Sequence, residues 1–251
     1  MGTTHEPPLD GRRALVTGAG RGIGRAVAGV LAERGAHVTL VSRTSSELES
    51  TAAAIVDDGG AASPLPLDVT DSAAVARALD GLDIDVLVNA AGVNIPTAFA
   101  EVTDEIYATI MALNTTAAFV VSQHAVRSML ARGVGGSIVN ITSQMAQVGG
   151  PNRSVYCASK AAVEGLTRAL AVELGPHGIR VNCVAPTFVE TALTADFLAE
   201  PTFRSWALGE IPLGRFGEVD EVAAAVAFLA GPEASLITGT SLLTDGGWTA
   251  H

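Results

Sequence analysis

The chain has 251 residues, of which 48% are hydrophobic and 16% charged, with a formal net charge of −11. This length and composition fit one globular domain with a large core and exclude a disordered chain. The acidic balance and the lack of any basic cluster argue against nucleic acid or an anionic membrane surface as partner.

No apolar run approaches the roughly 20 residues that a membrane span requires. The opening MGTTHEPPLDGRR lacks the apolar centre of a signal peptide, and residues 1–11 read as a flexible tail. The two cysteines, Cys157 and Cys183, form no CxxC pair. Their use points to a reducing cytoplasm, with no disulfide framework and no metal site.

In chain order, "ALVTG" (14–18) reads as a buried strand ending in glycine. "GRAVAGVLAERG" (24–35) carries Val27, Val30 and Leu31 at helical spacing and stops at a glycine. "AHVTLVS" is the next strand, followed by a polar helix over 45–57, a strand near "SPLPLD" and another in "DVLVNAAG". A long helix is expected over 103–130, then the strand "GSIVNITS" and the helix "SVYCASKAAVEGLTRALAVEL". "IRVNCVAP" is a strand, "DEVAAAVAFLAG" a helix and "TSLLTDGG" the last strand. Alternating β and α segments with continuously apolar strands predict a single-domain, doubly wound parallel sheet of the α/β class, covered by helices on both faces. The stretch 187–213, with Pro201 and Pro212, predicts a long irregular segment acting as a substrate lid.

"TGAGRGIG" (17–24) lies between the first strand and the first helix. Glycines there let a pyrophosphate approach the backbone and the helix N-terminus. Gly18, Gly22 and Gly24 supply that loop, and Ile23 stands where the strict pattern has its third glycine. An NAD-binding chain places an acid for the ribose at the end of the second strand. Ser42 and Arg43 stand there instead, and Arg21 lies in the glycine loop. An arginine favours a 2′-phosphate through charge-assisted hydrogen bonds, so the pattern points to NADP.

"YCASK" places Tyr156 and Lys160 four residues apart, on one helix face. A phenol ordinarily titrates near pH 10, too high for a base near neutrality. A cation about 4 Å away, at an effective dielectric of about 20, supplies roughly 4 kcal/mol toward ionising it. Tyr-x-x-x-Lys alone is common by chance, so the rest of the chain must decide its meaning.

The motifs together are distinctive. Thr17-Gly18-x-x-x-Gly22-Ile23-Gly24, Asp68-Val69, Asn89-Ala90-Ala91-Gly92, Asn114, Ser143, Tyr156-x-x-x-Lys160 and Asp245-Gly246-Gly247 occur in this order. The chain resembles the short-chain dehydrogenase/reductase family from about Arg12 to Trp248. The resemblance implies a Rossmann-type fold, an NAD(P)-dependent enzyme interconverting a carbonyl and a secondary alcohol, and commonly a homotetramer. It also implies roles for residues. Tyr156 would be the acid/base. Lys160 would lower its pKa and hold the nicotinamide ribose. Ser143 would bind the substrate oxygen, and Asn114 would hold a water in a relay to Lys160. Asp68 and Val69 would flank the adenine, with Asn89, Ala90 and Gly92 lining the cofactor and Pro186, Val189 and Thr191 near the nicotinamide. The Ala90 and Thr187 positions depart from the family's usual Asn and Gly.

Asn94, Gln144, Gln147, Asn152 and Arg153 gather in sequence near the expected pocket and hint at a small hydroxylated substrate, a sugar, polyol or ketone. Trp206 would either cover that substrate or pack. A 3-oxoacyl thioester on a carrier protein is the second substrate reading. It suits an acidic chain poorly, because Val134 and His177 stand where docking cations are expected. A non-catalytic NADP-binding sensor or scaffold is the alternative of another class; such a protein has no need of Asn114, Ser143, Tyr156 and Lys160 together.

Overall fold

The computed structural model describes residues 8–192 and 194–250. Among them a single parallel sheet of seven strands runs in the order β3-β2-β1-β4-β5-β6-β7. The strands are β1 (Arg13–Thr17), β2 (His37–Ser42), β3 (Ala61–Pro66), β4 (Val86–Asn89), β5 (Gly136–Ile141), β6 (Ile179–Pro186) and β7 (Ser241–Thr244). Successive residues point to opposite faces, so each strand feeds two cores. Ala14, Val16, Val86, Val88 and Val139 pack under α1 (Gly22–Glu33), α2 (Ser45–Asp57) and, later in the chain, the helix Val219–Ala230. Leu15, Leu87, Ile138 and Val181 pack on the other side. There they meet α3 (Ser72–Leu79), α5 (Ala117–Arg132) and α6 (Ser154–Leu174), with α4 (Asp104–Met111) preceding α5. Both faces are covered, which is why the strands read as unbroken apolar runs.

The strand order reverses between β1 and β4. Connections leaving these two strands diverge to opposite faces and open a crevice at their C-terminal ends, the ligand position of such sheets.

The structure departs from the sequence reading in five places. Helix α3 was not expected; it is short, and Asp71 caps it by accepting from the Ala74 amide at 2.9 Å. Asp104–Arg132 is a continuous helical run of 29 residues, and by length and composition alone it could cross a bilayer. The sequence predicts this helix over 103–130, but no run apolar enough to cross a bilayer. Five of its residues, Ala112–Thr116, form a π turn between α4 and α5. The segment 187–213 is not irregular. It holds α7 (Ala195–Ala199) and α8 (Pro201–Gly209), and the Val219–Ala230 helix is therefore α9. Pro201 opens α8 at a position where its missing N–H costs nothing, and the Glu200 carboxylate accepts from the Thr202 amide at 2.9 Å. Finally, within the expected tail 1–11, Leu9 is buried and its amide donates to the Arg34 carbonyl at 2.8 Å; residues 1–7 lie outside the described residues.

Above the C-terminal end of the sheet sits a third, aromatic cluster. Phe188 meets Phe203 at 5.3 Å and Trp248 at 5.6 Å, and Trp206 meets Phe203 at 5.4 Å and Trp248 at 5.5 Å between ring centroids. Tyr156 and Cys157 pack against this cluster. Trp206 is thus a packing residue of α8 at the roof of the site.

Candidate active site

The crevice starts at the glycine loop. Gly18 adopts φ +69, and a Cβ there would lie 2.9 Å from the Ala91 amide nitrogen. At Gly24 a Cβ would lie 2.2 Å from the Gly18 carbonyl oxygen, a position no side chain can take. These absent atoms let the loop fold flat against the exits of β1 and β4. Thr17 Oγ1 secures the junction by accepting from the Ala90 and Ala91 amides at 3.1 and 3.2 Å. Helix α1 then begins at Gly22, and no side chain caps it. Its first amides and the helix dipole face the crevice, a seat for a pyrophosphate. The cradle fits a dinucleotide.

Gly18, Arg21, Gly22, Ile23, Gly24, Ser42, Arg43, Asp68, Val69, Ala90, Gly92 and Thr191 all line this crevice, as the sequence led one to expect. Five expected cofactor residues do not: Tyr156 and Lys160 stand beyond it, and three others belong to the surrounding fold. Asn89 is turned into the core, where its Nδ2 donates to Asn140 Oδ1 at 2.8 Å and Ser122 Oγ at 3.0 Å, tying β4 to β5 and α5. Pro186 ends β6, paired with Thr244. Val189 is buried and bridged to Gly217.

At one end of the crevice, Ser42 and Arg43 leave β2 beside two acids. Arg43 Nη1 lies 4.0 Å from Asp68 Oδ2, and Arg21 Nη1 lies 3.9 Å from Glu47 Oε1. Hydrogen bonds from the Thr70 hydroxyl and amide, at 2.7 and 2.9 Å, hold the Asp68 carboxyl below its usual range despite some burial. The sequence reading did not single out Glu47. It comes from the first turn of α2, and nothing in its spacing marks it.

At the other end stand the four residues that the sequence reading expects to be catalytic. Ser143 follows β5, with its hydroxyl accepting from the Met145 amide at 3.2 Å and donating to Gln144 Oε1 at 2.7 Å. It also favours the ionised form of the Tyr156 phenol. Lys160 is 5% exposed; its Nζ donates to the Ile141 carbonyl at 2.9 Å and lies 5.7 Å from the centroid of the Tyr156 ring. Asn114, buried in the π turn, clamps the loop after β4. Its Oδ1 accepts from the Val93 amide at 2.8 Å, and its Nδ2 donates to the Val93 carbonyl at 2.9 Å and Ser159 Oγ at 3.0 Å. Gly92 marks the convergence: a Cβ there would sit 3.4 Å from Asn114 Oδ1 and 3.5 Å from Lys160 Nζ.

The sequence reading expects Lys160, together with an oxidised nicotinamide's positive charge, to bring the phenol toward neutrality; among the chain's own groups burial sets the direction. Burial dominates and pushes the Tyr156 phenol above its ordinary value; the Ser143 hydrogen bond and the Arg153 charge pull it back only in part, and Cys157 adds to the rise. Lys160 suffers the same desolvation, which lowers its ammonium to about 8. A charge stripped of water is the costlier form of either group. The phenol therefore rests protonated, as a proton donor. Arg153, 5% exposed at the start of α6, is the cation that acts on the phenol, and its own pKa is lowered by burial.

Of the residues expected to meet substrate, Gln144 is buried against Ser143. Asn94 lies next to Val93, which Asn114 clamps, and its Oδ1 is buried without a hydrogen-bond partner among the described residues. Asn152 is exposed in a left-handed turn, φ 59, and its carbonyl accepts from the Thr97 amide at 3.0 Å. It shapes the turn before α6 rather than the crevice.

A family profile described as enoyl-(acyl carrier protein) reductase matches residues 18–249. L-xylulose reductase of Bos taurus is 44% identical over 243 residues, covering 96% of this chain and 98% of its own. The chain belongs to the short-chain dehydrogenase/reductase family. Among solved structures, a short-chain type dehydrogenase/reductase from Mycobacterium marinum superposes with a TM-score of 0.93 at 38% identity, covering 98% of each chain. A gluconate 5-dehydrogenase from Burkholderia cenocepacia J2315, crystallised with NADP and tartrate, gives 0.94 at 35% identity with the same coverage. The protein is an oxidoreductase of this family.

Proposed function

We propose that the protein is an NADPH-dependent reductase of small polyhydroxylated ketones, sugars or sugar acids, running in reverse as an alcohol dehydrogenase. The observation that carries this reading is the convergence of Ser143, Tyr156 and Lys160 beside a crevice shaped for a dinucleotide. Bound NADPH would supply the hydride. The chain does the rest. Ser143 donates to the carbonyl oxygen of the substrate, in place of its bond to Gln144. Tyr156, protonated at rest, gives its proton to that oxygen as negative charge develops. Lys160 steadies the phenolate left behind, and the oxidised cofactor's positive charge adds to it. The Asn94 Oδ1 atom offers a buried acceptor for a substrate hydroxyl.

Two relatives support the substrate class by their names, L-xylulose reductase and gluconate 5-dehydrogenase. Arg21 and Arg43 at the ribose end, with no acid at position 42, support NADP over NAD. The exposed apolar Tyr107, Phe119, Leu130 and Val172 on α4, α5 and α6 support assembly into a homo-oligomer, with a tetramer as the family's usual form. The two free cysteines fit a cytoplasmic setting.

The test is an NADPH-oxidation assay across four-to-six-carbon ketoses, keto-aldonates and a 3-oxoacyl thioester. Turnover confined to the hydroxylated ketones is the expected outcome. Preference for the thioester would overturn the substrate class, and preference for NADH the cofactor.

A further inference from the structure

The ribose end of the crevice contains an anion of its own. Glu47 lines the crevice with Gly20, Arg21, Ser42 and Arg43. Its Oε2 lies 2.8 Å from the point where a Gly20 Cβ would stand, and Ser42 Oγ lies 3.1 Å from that same point. Its Oε1 lies 3.9 Å from Arg21 Nη1. The carboxylate thus projects from α2 across the glycine loop, into the corner formed by Ser42 and the two arginines. The acid that an NAD-binding chain carries at the end of β2 is missing from the sequence there. In space, a carboxylate from the next helix reaches the same corner.

We propose that Glu47 sets the cofactor preference of this protein, by occupying Arg21 and opposing a 2′-phosphate. The inference rests on the reading of this corner as a 2′-phosphate site. A 2′-phosphate entering the corner meets Arg43 directly, but must draw Arg21 away from Glu47 and sit beside a like charge. The 2′-hydroxyl of NADH meets no such opposition and can donate to the carboxylate. Glu47 therefore narrows the gap between the two cofactors. Gly20 belongs to the device, because any side chain there would displace the carboxylate. A first-turn acid also complements the dipole of α2, but that role moves stability and not the ratio of two cofactors.

The experiment titrates NADPH and NADH against the full chain by nicotinamide fluorescence, with no substrate present, for the unmodified protein, Glu47→Gln and Arg43→Leu. Adenosine 2′,5′-bisphosphate and 5′-AMP are titrated in competition, so that the nicotinamide end plays no part. Glu47→Gln should tighten NADPH and the bisphosphate about two- to fivefold, the range of one exposed ion pair. NADH and 5′-AMP should bind equally or more weakly. The gain should shrink at 1 M salt, where charges are screened beyond about 3 Å. If Arg43→Leu weakens NADPH while Glu47→Gln leaves it unchanged, or shifts both cofactors alike, the role of Glu47 is refuted and the NADP reading stands. If Arg43→Leu leaves NADPH unchanged, the corner does not read the 2′-phosphate and both fall.

Discussion

Tyr156 shows how much one residue depends on its surroundings. The spacing to Lys160 was plain in the sequence, and so was the chemistry it serves. What spacing could not give was the balance of desolvation against charge, because burial is a property of the packed roof. Phe188, Phe203 and Trp248 come from distant parts of the chain, and their cluster removes water from the phenol. On the proposed mechanism, the phenol then holds its proton until a substrate oxygen takes it. Tyr156→Phe keeps the ring, which packs with the cluster, and removes only that proton. It should lower kcat about 10²-fold or more, with NADPH affinity unchanged within about twofold in the same fluorescence titration. Turnover within a few-fold of the unmodified protein would show that another group donates the proton. Glu47 is the residue the sequence left obscure. It is one charge among many in the chain, and only the fold shows that it lies in the corner of the crevice beside Arg21 and Ser42.

At the level of elements, the sequence served best where burial is two-sided. β6 and α6 have the bounds expected, because a continuous apolar run and a long amphipathic run admit few alternatives. Reading failed where signals are short or composite. Helix α3 has only eight residues. The π turn at Asn114 keeps helical composition and reveals itself only in its backbone, where the extra residue turns the Asn114 amide onto Val93. The prolines of 187–213 suggested irregular chain, whereas Pro201 starts a helix. That segment was expected to be a loose lid. Its helices α7 and α8 instead share a core with the Trp248 turn, held by Asp245, whose Oδ2 accepts from the Thr249 hydroxyl and amide at 2.7 and 2.9 Å. Trp248 is 7% exposed at the centre of this contact. Trp248→Ala should cost about 3–5 kcal/mol of stability by the usual penalty for emptying an aromatic site. The loss should be uneven. Amide exchange should accelerate in α8 and around Phe216 well before it does in β4 and β5. Uniform acceleration across the sheet would mean that the roof and the sheet open as one unit, and that α8 has no independent freedom to admit substrate.

Across the whole molecule, the sheet has a polarity of function. Its C-terminal ends carry the crevice and the catalytic set. Its N-terminal ends carry a charge cluster built around one buried carboxylate, away from the crevice. Asp85, 4% exposed just before β4, accepts from the Arg13 amide at 2.9 Å, from Arg13 Nε at 3.0 Å and from Arg132 Nη1 at 2.7 Å. These bonds tie β1, β4 and the end of α5 together at the base of the sheet, opposite the region where strain and polar groups are needed for chemistry. The sequence showed an alternating α/β chain and hence the sheet, but not this clasp, whose partners are separated by 72 and 47 positions. Burial alone would raise the Asp85 carboxyl. The Arg13 and Arg132 hydrogen bonds overcome that and hold it at about 2, against an ordinary 3.8. A carboxyl with a depressed folded-state pKa binds its proton more readily in the unfolded chain, so its contribution is fully present above about pH 4 and is lost as the pH falls through about 2. The shift corresponds to about 2 kcal/mol. Asp85→Asn leaves the two arginines only the half-exposed Asp83 as counter-charge, and should destabilise the protein by about that amount at pH 7. Urea unfolding at intervals from pH 7 to pH 2 should show the two proteins converging below pH 4, where the unmodified carboxyl gains its proton as the clasp fails. A stability difference that stays constant across this range would mean that Asp85 acts through its shape and hydrogen bonds and not through its charge.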